Sequence, residues 1–135
     1  ELSPLTVEEQ AVVLKALQKS SREYQLMFYL ALFTGARLQT ICTLRIKNLI
    51  GCELDSHGFI RLPVGAGTGV DTKFQKPMTL LIPNWLAQDL KIYINSEQAR
   101  QRRNKSNYGD SDENYVFLTK LGTPFYTSKA ETQAS

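Results

Sequence analysis

The stretch LFTGARLQTICTLR, residues 32–45, places a charged residue, Arg37, directly after an almost uncharged segment. The segment before it, YQLMFYLALF at residues 24–33, carries apolar residues on nearly every side of a helix. This pattern predicts a central buried helix that Gly35 ends. A third helix should follow, with Arg37 at its start and Leu38, Ile41, Cys42 and Leu44 on one side. A buried or half-buried guanidinium is costly unless an anion meets it, so Arg37 raises the question of its partner.

Capping signals and apolar periodicity indicate two other helices and the start of the central one. Thr6 and Glu9 have the form of a capping box, which predicts a first helix over about residues 7–19. Ser20 and Glu23 repeat that signal and predict the start of the central helix, which runs to about Phe33. Asn84 can cap a long fourth helix that runs into a basic end near Arg103.

Three short segments are interpreted as strands, at residues 49–54, 59–64 and 78–82. The connection at 65–77 is rich in glycine and then in lysine, and it matches neither a dinucleotide-binding fingerprint nor a P-loop. Residues 115–118 read as a short buried segment, and residues 122–135 as a loop with a frayed end. The expected fold class is therefore α+β, mostly helical, with a small three-stranded antiparallel sheet.

Composition limits the chain to one modest domain. It has 135 residues, of which 42% are hydrophobic, and a net charge of +3. Two cysteines, Cys42 and Cys52, and the single His57 are too few soft ligands for a metal site, and no cofactor is indicated. The apolar run at 24–33 is about half of the ~20 residues needed to cross a bilayer. We expect no membrane association and a cytoplasmic protein with reduced thiols.

Three groups of basic residues stay without an explanation from the fold: Arg37, the pair Lys73 and Lys76, and a run near the end of the fourth helix with Lys91, Arg100, Arg102, Arg103 and Lys105. Arginine forks onto a phosphate through two hydrogen bonds, and lysine supplies a point charge or a proton. Together they suit a phosphodiester at which negative charge builds up. Separately, Arg37 could pair with a carbonyl or an acid, the lysines could keep a hairpin soluble, and the basic run could be a solvated helix end.

The order of these features resembles the first half of the catalytic domain of a tyrosine recombinase, or phage-type integrase, over residues 1–135. Residues 5–9, LTVEE, resemble the usual family entry, and residues 34–38, TGARL, resemble the motif of the first catalytic arginine. Residues 44–46, LRI, continue that motif. Residues 71–83 resemble the hairpin that bears the catalytic lysine, and residues 115–117, YVF, resemble the segment before the second half.

The resemblance implies an enzyme that breaks and rejoins double-stranded DNA through a 3′-phosphotyrosyl intermediate, without a metal or cofactor. Arg37 would bind the scissile phosphate, and Lys73 would help to protonate the leaving 5′ oxygen. Further DNA contacts are expected from Lys76, Arg45, Arg100, Arg102 and Arg103.

The chain departs from the family pattern at several points. Thr40 stands where the family usually has an acid, and the longer hairpin loop leaves Lys76 as an alternative catalytic lysine. The second motif, H/K-x-x-R, and the nucleophilic tyrosine should lie downstream of the lysine hairpin, where neither is found, and Tyr126 is not assigned that role. We therefore expect this segment to be inactive alone, within a parent that oligomerises on DNA. The alternative is a non-catalytic helical DNA-binding or protein-interaction module.

Overall fold

The computed structural model describes residues 6–8, 21–53 and 55–129. It confirms the mixed α+β class. Its helices and strands follow the chain in this order: α1 Arg22–Thr34, α2 Leu38–Cys42, α3 Ile46–Ile50, β1 Phe59–Val64, β2 Met78–Pro83, α4 Asn84–Ile94 and α5 Glu97–Lys105. Of the first predicted helix only Val7 and Glu8 are described, and both are helical. The rest of that helix and the Glu9 part of its capping box lie outside the described residues.

Helix α1 is the central helix that the apolar segment predicts. It buries Leu26, Met27 and Leu30, and Gly35 ends it in the left-handed conformation at φ 73°. Its N-cap is Ser21, and the predicted cap, Ser20, lies outside the described residues. Glu23 does not complete a capping box. Its side chain is 1% exposed and forms an ion pair with Arg102 of α5.

The sheet has two strands in the described part of the chain, so the prediction of a third strand at 49–54 is wrong. Strands β1 and β2 pair antiparallel from Phe59 opposite Pro83 to Val64 opposite Met78. Helix α3 occupies the first two residues of the predicted third strand, Leu49 and Ile50. Its first N–H groups, those of Ile46 and Lys47, donate to the carbonyls at 114 and 112. These carbonyls satisfy N–H groups that have no partner inside the helix, so they favour a helix that starts here.

The fourth predicted helix is also divided. Helix α4 ends at Ile94, and α5 begins after Ser96, whose hydroxyl accepts a hydrogen bond from the backbone N–H of Ala99 at 3.2 Å. The same hydroxyl donates to the carbonyl of Tyr93 at 2.6 Å. Ser96 therefore terminates one helix and caps the next, because it satisfies backbone groups of both.

One core fills the space between the sheet and the helices. The inward faces of β1 and β2 contribute Ile60, Leu62, Val64, Leu80 and Ile82. Helix α4 adds an apolar stripe of Leu86, Leu90, Tyr93 and Ile94. Residues 115–118 are buried, as expected. Residues 122–129 are not a frayed end, because Ser128 is fully buried and residues 118 and 124 form a β-bridge. Within residues 6–8, 21–53 and 55–129, no helix has the length and apolar character that a bilayer crossing needs.

Candidate functional site

The turn between α1 and α2 places Arg37 at the surface. The Thr34 hydroxyl donates to the carbonyl of Leu30 at 2.5 Å and accepts from the N–H of Ala36 at 3.1 Å. Gly35 reverses the chain, since its φ of 73° is one that residues with a Cβ rarely adopt. Arg37 is then the extended and exposed N-cap of α2, and its guanidinium makes no hydrogen bond or ion pair with the described residues. Local geometry thus explains why this motif projects an arginine.

The connection between β1 and β2 forms two successive tight turns. Gly65 and Val70 close the first turn by a β-bridge with a hydrogen bond of 3.0 Å. A Cβ on Gly65 would lie 2.5 Å from the carbonyl oxygen of Lys76, and the φ of Gly65 is +110°. Glycine is required there because the two turns approach each other closely. The connection therefore consists of defined turns.

The second turn carries the lysines. Residues Lys73–Gln75 form one tight turn, which we call the lysine turn, and its backbone is not helical because Phe74 has φ 57°. A hydrogen bond of 2.6 Å from the Thr72 hydroxyl to the carbonyl of Lys76 closes it. Lys73, Phe74 and Lys76 are all exposed. The turn holds both lysines and the ring of Phe74 out from the body of the domain.

Arg37 and Lys73 meet at one surface. Two clefts of about 290 Å³ and about 540 Å³ share four lining residues, Arg37, Thr40, Thr72 and Lys73. We call these adjoining clefts the Arg37–Lys73 cleft. Lys76 lines the larger of them. Helix α2 contributes the arginine and the lysine turn contributes the ammonium groups, so residues 36 apart in sequence present positive charge to the same space.

Asp71 is a residue of this cleft whose importance the sequence did not indicate. It is 2% exposed, and its carboxylate accepts hydrogen bonds from the Gln39 amide at 2.8 Å and from the backbone N–H of Lys129 at 2.9 Å. The N–H of Asp71 donates to the Thr43 hydroxyl at 3.0 Å. These bonds fix the lysine turn to α2 and bring exposed Lys129 to the cleft. Only its position next to Thr72 and Lys73 in a polar loop pointed to it.

Arg45, an expected DNA contact, lies inside the protein. It is 6% exposed. Its guanidinium donates to the carbonyl of Glu113 and to the hydroxyl of Ser128, both at 2.8 Å, and lies 4.5 Å from the centre of the Tyr115 ring. The acceptors and the ring compensate for its desolvation. Arg45 therefore joins α3 to the C-terminal part of the described chain.

Arg102 and Arg103 are also buried, so neither is part of a solvated helix end. Arg102 pairs with Glu23 and donates to the carbonyl of Leu118 at 2.9 Å. Arg103 donates to Asp110 at 2.8 Å and to the carbonyl of Ile94 at 2.7 Å. These internal acceptors hold both guanidinium groups, and the interface proposed below is built without Arg45, Arg102 and Arg103.

Arg100 is exposed but is not brought to the Arg37–Lys73 cleft. It lines a separate cleft of about 270 Å³ with Lys91 and Arg103, and the acidic residues Asp110 and Asp112 line the same space. Mixed charge makes this cleft a weaker anion site than one lined mainly by cations.

The fold is shared with known DNA-bound proteins. No protein-family model and no curated protein matches the chain. Two solved structures of the Tn1549 transposon integrase, each in complex with a circular intermediate DNA, match it with TM-scores of 0.57 and 0.56 at 19% and 20% identity. Each match covers 93% of this chain and 40% of the integrase chain. The chain thus spans two fifths of the length of those integrases and has the fold of that part.

Proposed function

We propose that this chain is the phosphate-binding part of the catalytic domain of a tyrosine recombinase, which integrates or recombines DNA. The observation that carries the proposal is the convergence of Arg37 and Lys73 on one cleft. The fold shared with DNA-bound integrases supports the same substrate. Double-stranded DNA would lie across the cleft and contact it mainly through its phosphates.

Each residue of the cleft has a role in the proposed reaction. Arg37 holds the scissile phosphate by a forked pair of hydrogen bonds and stabilises the charge that develops on it. Lys73 protonates the leaving 5′ oxygen, and Lys76 and Lys129 bind flanking phosphates. The nucleophilic tyrosine and the second arginine motif come from other parts of the parent protein, which oligomerises on DNA.

Asp71 is a positioning residue in this proposal. Thr40 is buried at the cleft where an acid is expected, and Asp71 supplies a buried carboxylate that lines the same space. Its bonds to Gln39 and to the N–H of Lys129 keep α2 and the lysine turn at a fixed separation. It thereby positions Arg37 and Lys73 without itself contacting the DNA.

The test uses the full-length parent and a nicked DNA duplex that traps the covalent protein–DNA adduct. Arg37→Ala should slow adduct formation by about 10²–10³-fold, the usual cost of removing one transition-state donor. Arg37→Lys should rescue it poorly, since an ammonium cannot fork onto the phosphate. Unchanged adduct formation in Arg37→Ala would overturn the catalytic proposal and leave a DNA-binding module.

The matched pair Lys73→Ala and Lys76→Ala assigns the catalytic lysine. Both variants lose one exposed ammonium from the same turn. If Lys73 protonates the leaving oxygen, only Lys73→Ala should be rescued by a DNA substrate whose leaving group needs no proton. Rescue of Lys76→Ala alone would reverse the assignment.

A further inference from the structure

Phe74 is the most exposed large hydrophobic side chain among the described residues. Its side chain is 86% exposed, at the tip of the turn that carries Lys73 and Lys76. Exposure of a phenylalanine ring to water does not stabilise the fold. Turns that only connect strands normally carry glycine, proline, asparagine, aspartate or serine instead. The ring therefore calls for a contact outside the described part of the chain.

The backbone at this position is strained. Phe74 has φ 57° and Gln75 has φ 59°, so two successive residues with a Cβ adopt the left-handed conformation. The side-chain nitrogen of Gln75 is buried and has no hydrogen-bond partner within residues 6–8, 21–53 and 55–129. Glycine or asparagine would relieve such a turn. Strain of this kind is concentrated where a residue must be presented to a ligand.

Charge around the ring favours a nucleic acid as that ligand. The ammonium of Lys73 lies 5.5 Å from the centre of the Phe74 ring, and Lys76 follows two residues later. Phe74 also lines the smaller part of the Arg37–Lys73 cleft. Lys73 and Lys76 precede and follow the ring along the chain. If both bind phosphates, the ring between them is close to the bases. Aromatic rings stack on any base, and apolar side chains wedge between base steps in bent DNA.

We propose that Phe74 is a DNA wedge: its ring inserts against a base step beside the phosphate that Arg37 and Lys73 bind, and partly unstacks it. This inference rests on the proposed function, because it needs duplex DNA in the cleft. It adds a base contact to an interface otherwise built from phosphate contacts.

The test compares the affinity of the 135-residue chain for a short paired duplex and for the same duplex with one mismatched pair. A mismatch lowers the cost of unstacking, so a wedge binds it more tightly. Wild type should favour the mismatched duplex by about tenfold, within the range of one base–aromatic stack. Phe74→Ala should bind both duplexes equally, and Phe74→Trp should keep the preference.

Lys76→Ala is the matched control from the same turn. It should weaken binding to both duplexes by the same factor and leave the tenfold ratio unchanged, because phosphates are alike in the two. Far-UV circular dichroism should show every variant folded, since the Phe74 side chain is outside the core.

The outcomes separate this inference from the proposed function. If wild type binds both duplexes without a preference, or Phe74→Ala keeps the preference, the wedge is refuted while DNA binding stands, and a protein contact becomes the explanation of the ring. If wild type binds neither duplex, the proposed function fails and the wedge fails with it.

Discussion

The slope of DNA affinity against salt concentration should depend on the number of cations in the Arg37–Lys73 cleft. Among the described residues, four exposed cations line it: Arg37, Lys73, Lys76 and Lys129. Each phosphate neutralised on duplex DNA contributes about −0.9 to the slope of log affinity against log salt, so the wild-type slope should be about −3.6. Affinity should then fall about 150-fold between about 50 and about 200 mM salt. Arg37→Ala should have a slope of about −2.7 and a fall of about 40-fold.

Fluorescence anisotropy with a labelled duplex measures these slopes directly. The double variant Arg37→Ala/Lys73→Ala should reach a slope of about −1.8, since each removed cation releases one fewer counterion. Lys120→Ala is the control, because Lys120 is exposed and lines neither part of the cleft. A wild-type slope in Arg37→Ala, or an equal decrease in Lys120→Ala, would refute the reasoning that the cleft is the DNA-binding surface.

The remaining predictions concern stability and thiol reactivity. Arg102→Met leaves Glu23 buried without its cation and should lower the free energy of unfolding, measured in urea, by about 3–5 kcal/mol. The double variant Glu23→Met/Arg102→Met should lower it by less, and equal decreases in the two variants would contradict this role. Backbone N–H groups lower the pKa of Asp55, so its stabilisation is complete above about pH 3.9 and is lost as the pH falls through the lowered value. Asp55→Asn should therefore flatten the acid side of the stability profile. Burial raises the pKa of Cys42 to about 11, so mass spectrometry after thiol alkylation at about pH 8 should find Cys52 modified first.

Elements with local signals were predictable from the sequence. Helix α1 ends where the glycine at 35 takes the left-handed conformation, and the preceding run of apolar residues is buried as the pattern indicates. Strands β1 and β2 alternate buried and exposed side chains, which a period of two residues predicts. In each case a pattern of neighbouring residues was enough to predict the element.

The predicted strand at 49–54 failed for a non-local reason. An apolar stretch this short fits a helix turn as well as a strand. The choice depends on the carbonyls at 112 and 114, which receive the first N–H groups of α3 and lie far away in the sequence. The break between α4 and α5 is a different kind of error, because Ser96 before Glu97 is a local capping signal that the long apolar stripe obscured.

The pairing of Arg37 with Lys73 was predictable from the sequence, whereas the presence of Asp71 and Lys129 at the same cleft was not. Motif order placed Arg37 and Lys73 in one site, and the structure puts both in the lining of one cleft. Asp71 acquires its importance only from partners at 39 and 129, which no local pattern connects with it. A buried carboxylate of this kind is recognised only in the three-dimensional structure, because its hydrogen bonds join segments that are distant in sequence.

The arginines show why charge alone was a poor guide to the interface. Desolvating a guanidinium is costly, and the protein lowers that cost for Arg45, Arg102 and Arg103 by giving each of them fixed internal acceptors. Arg37 receives none from the described residues, although hydrogen bonds hold the backbone of the turn before it. A guanidinium that starts from a fixed backbone position can bind an external anion without first breaking an internal hydrogen bond. It is this absence of an internal partner, rather than the charge, that distinguishes the residue proposed to bind phosphate from the arginines that hold the fold together.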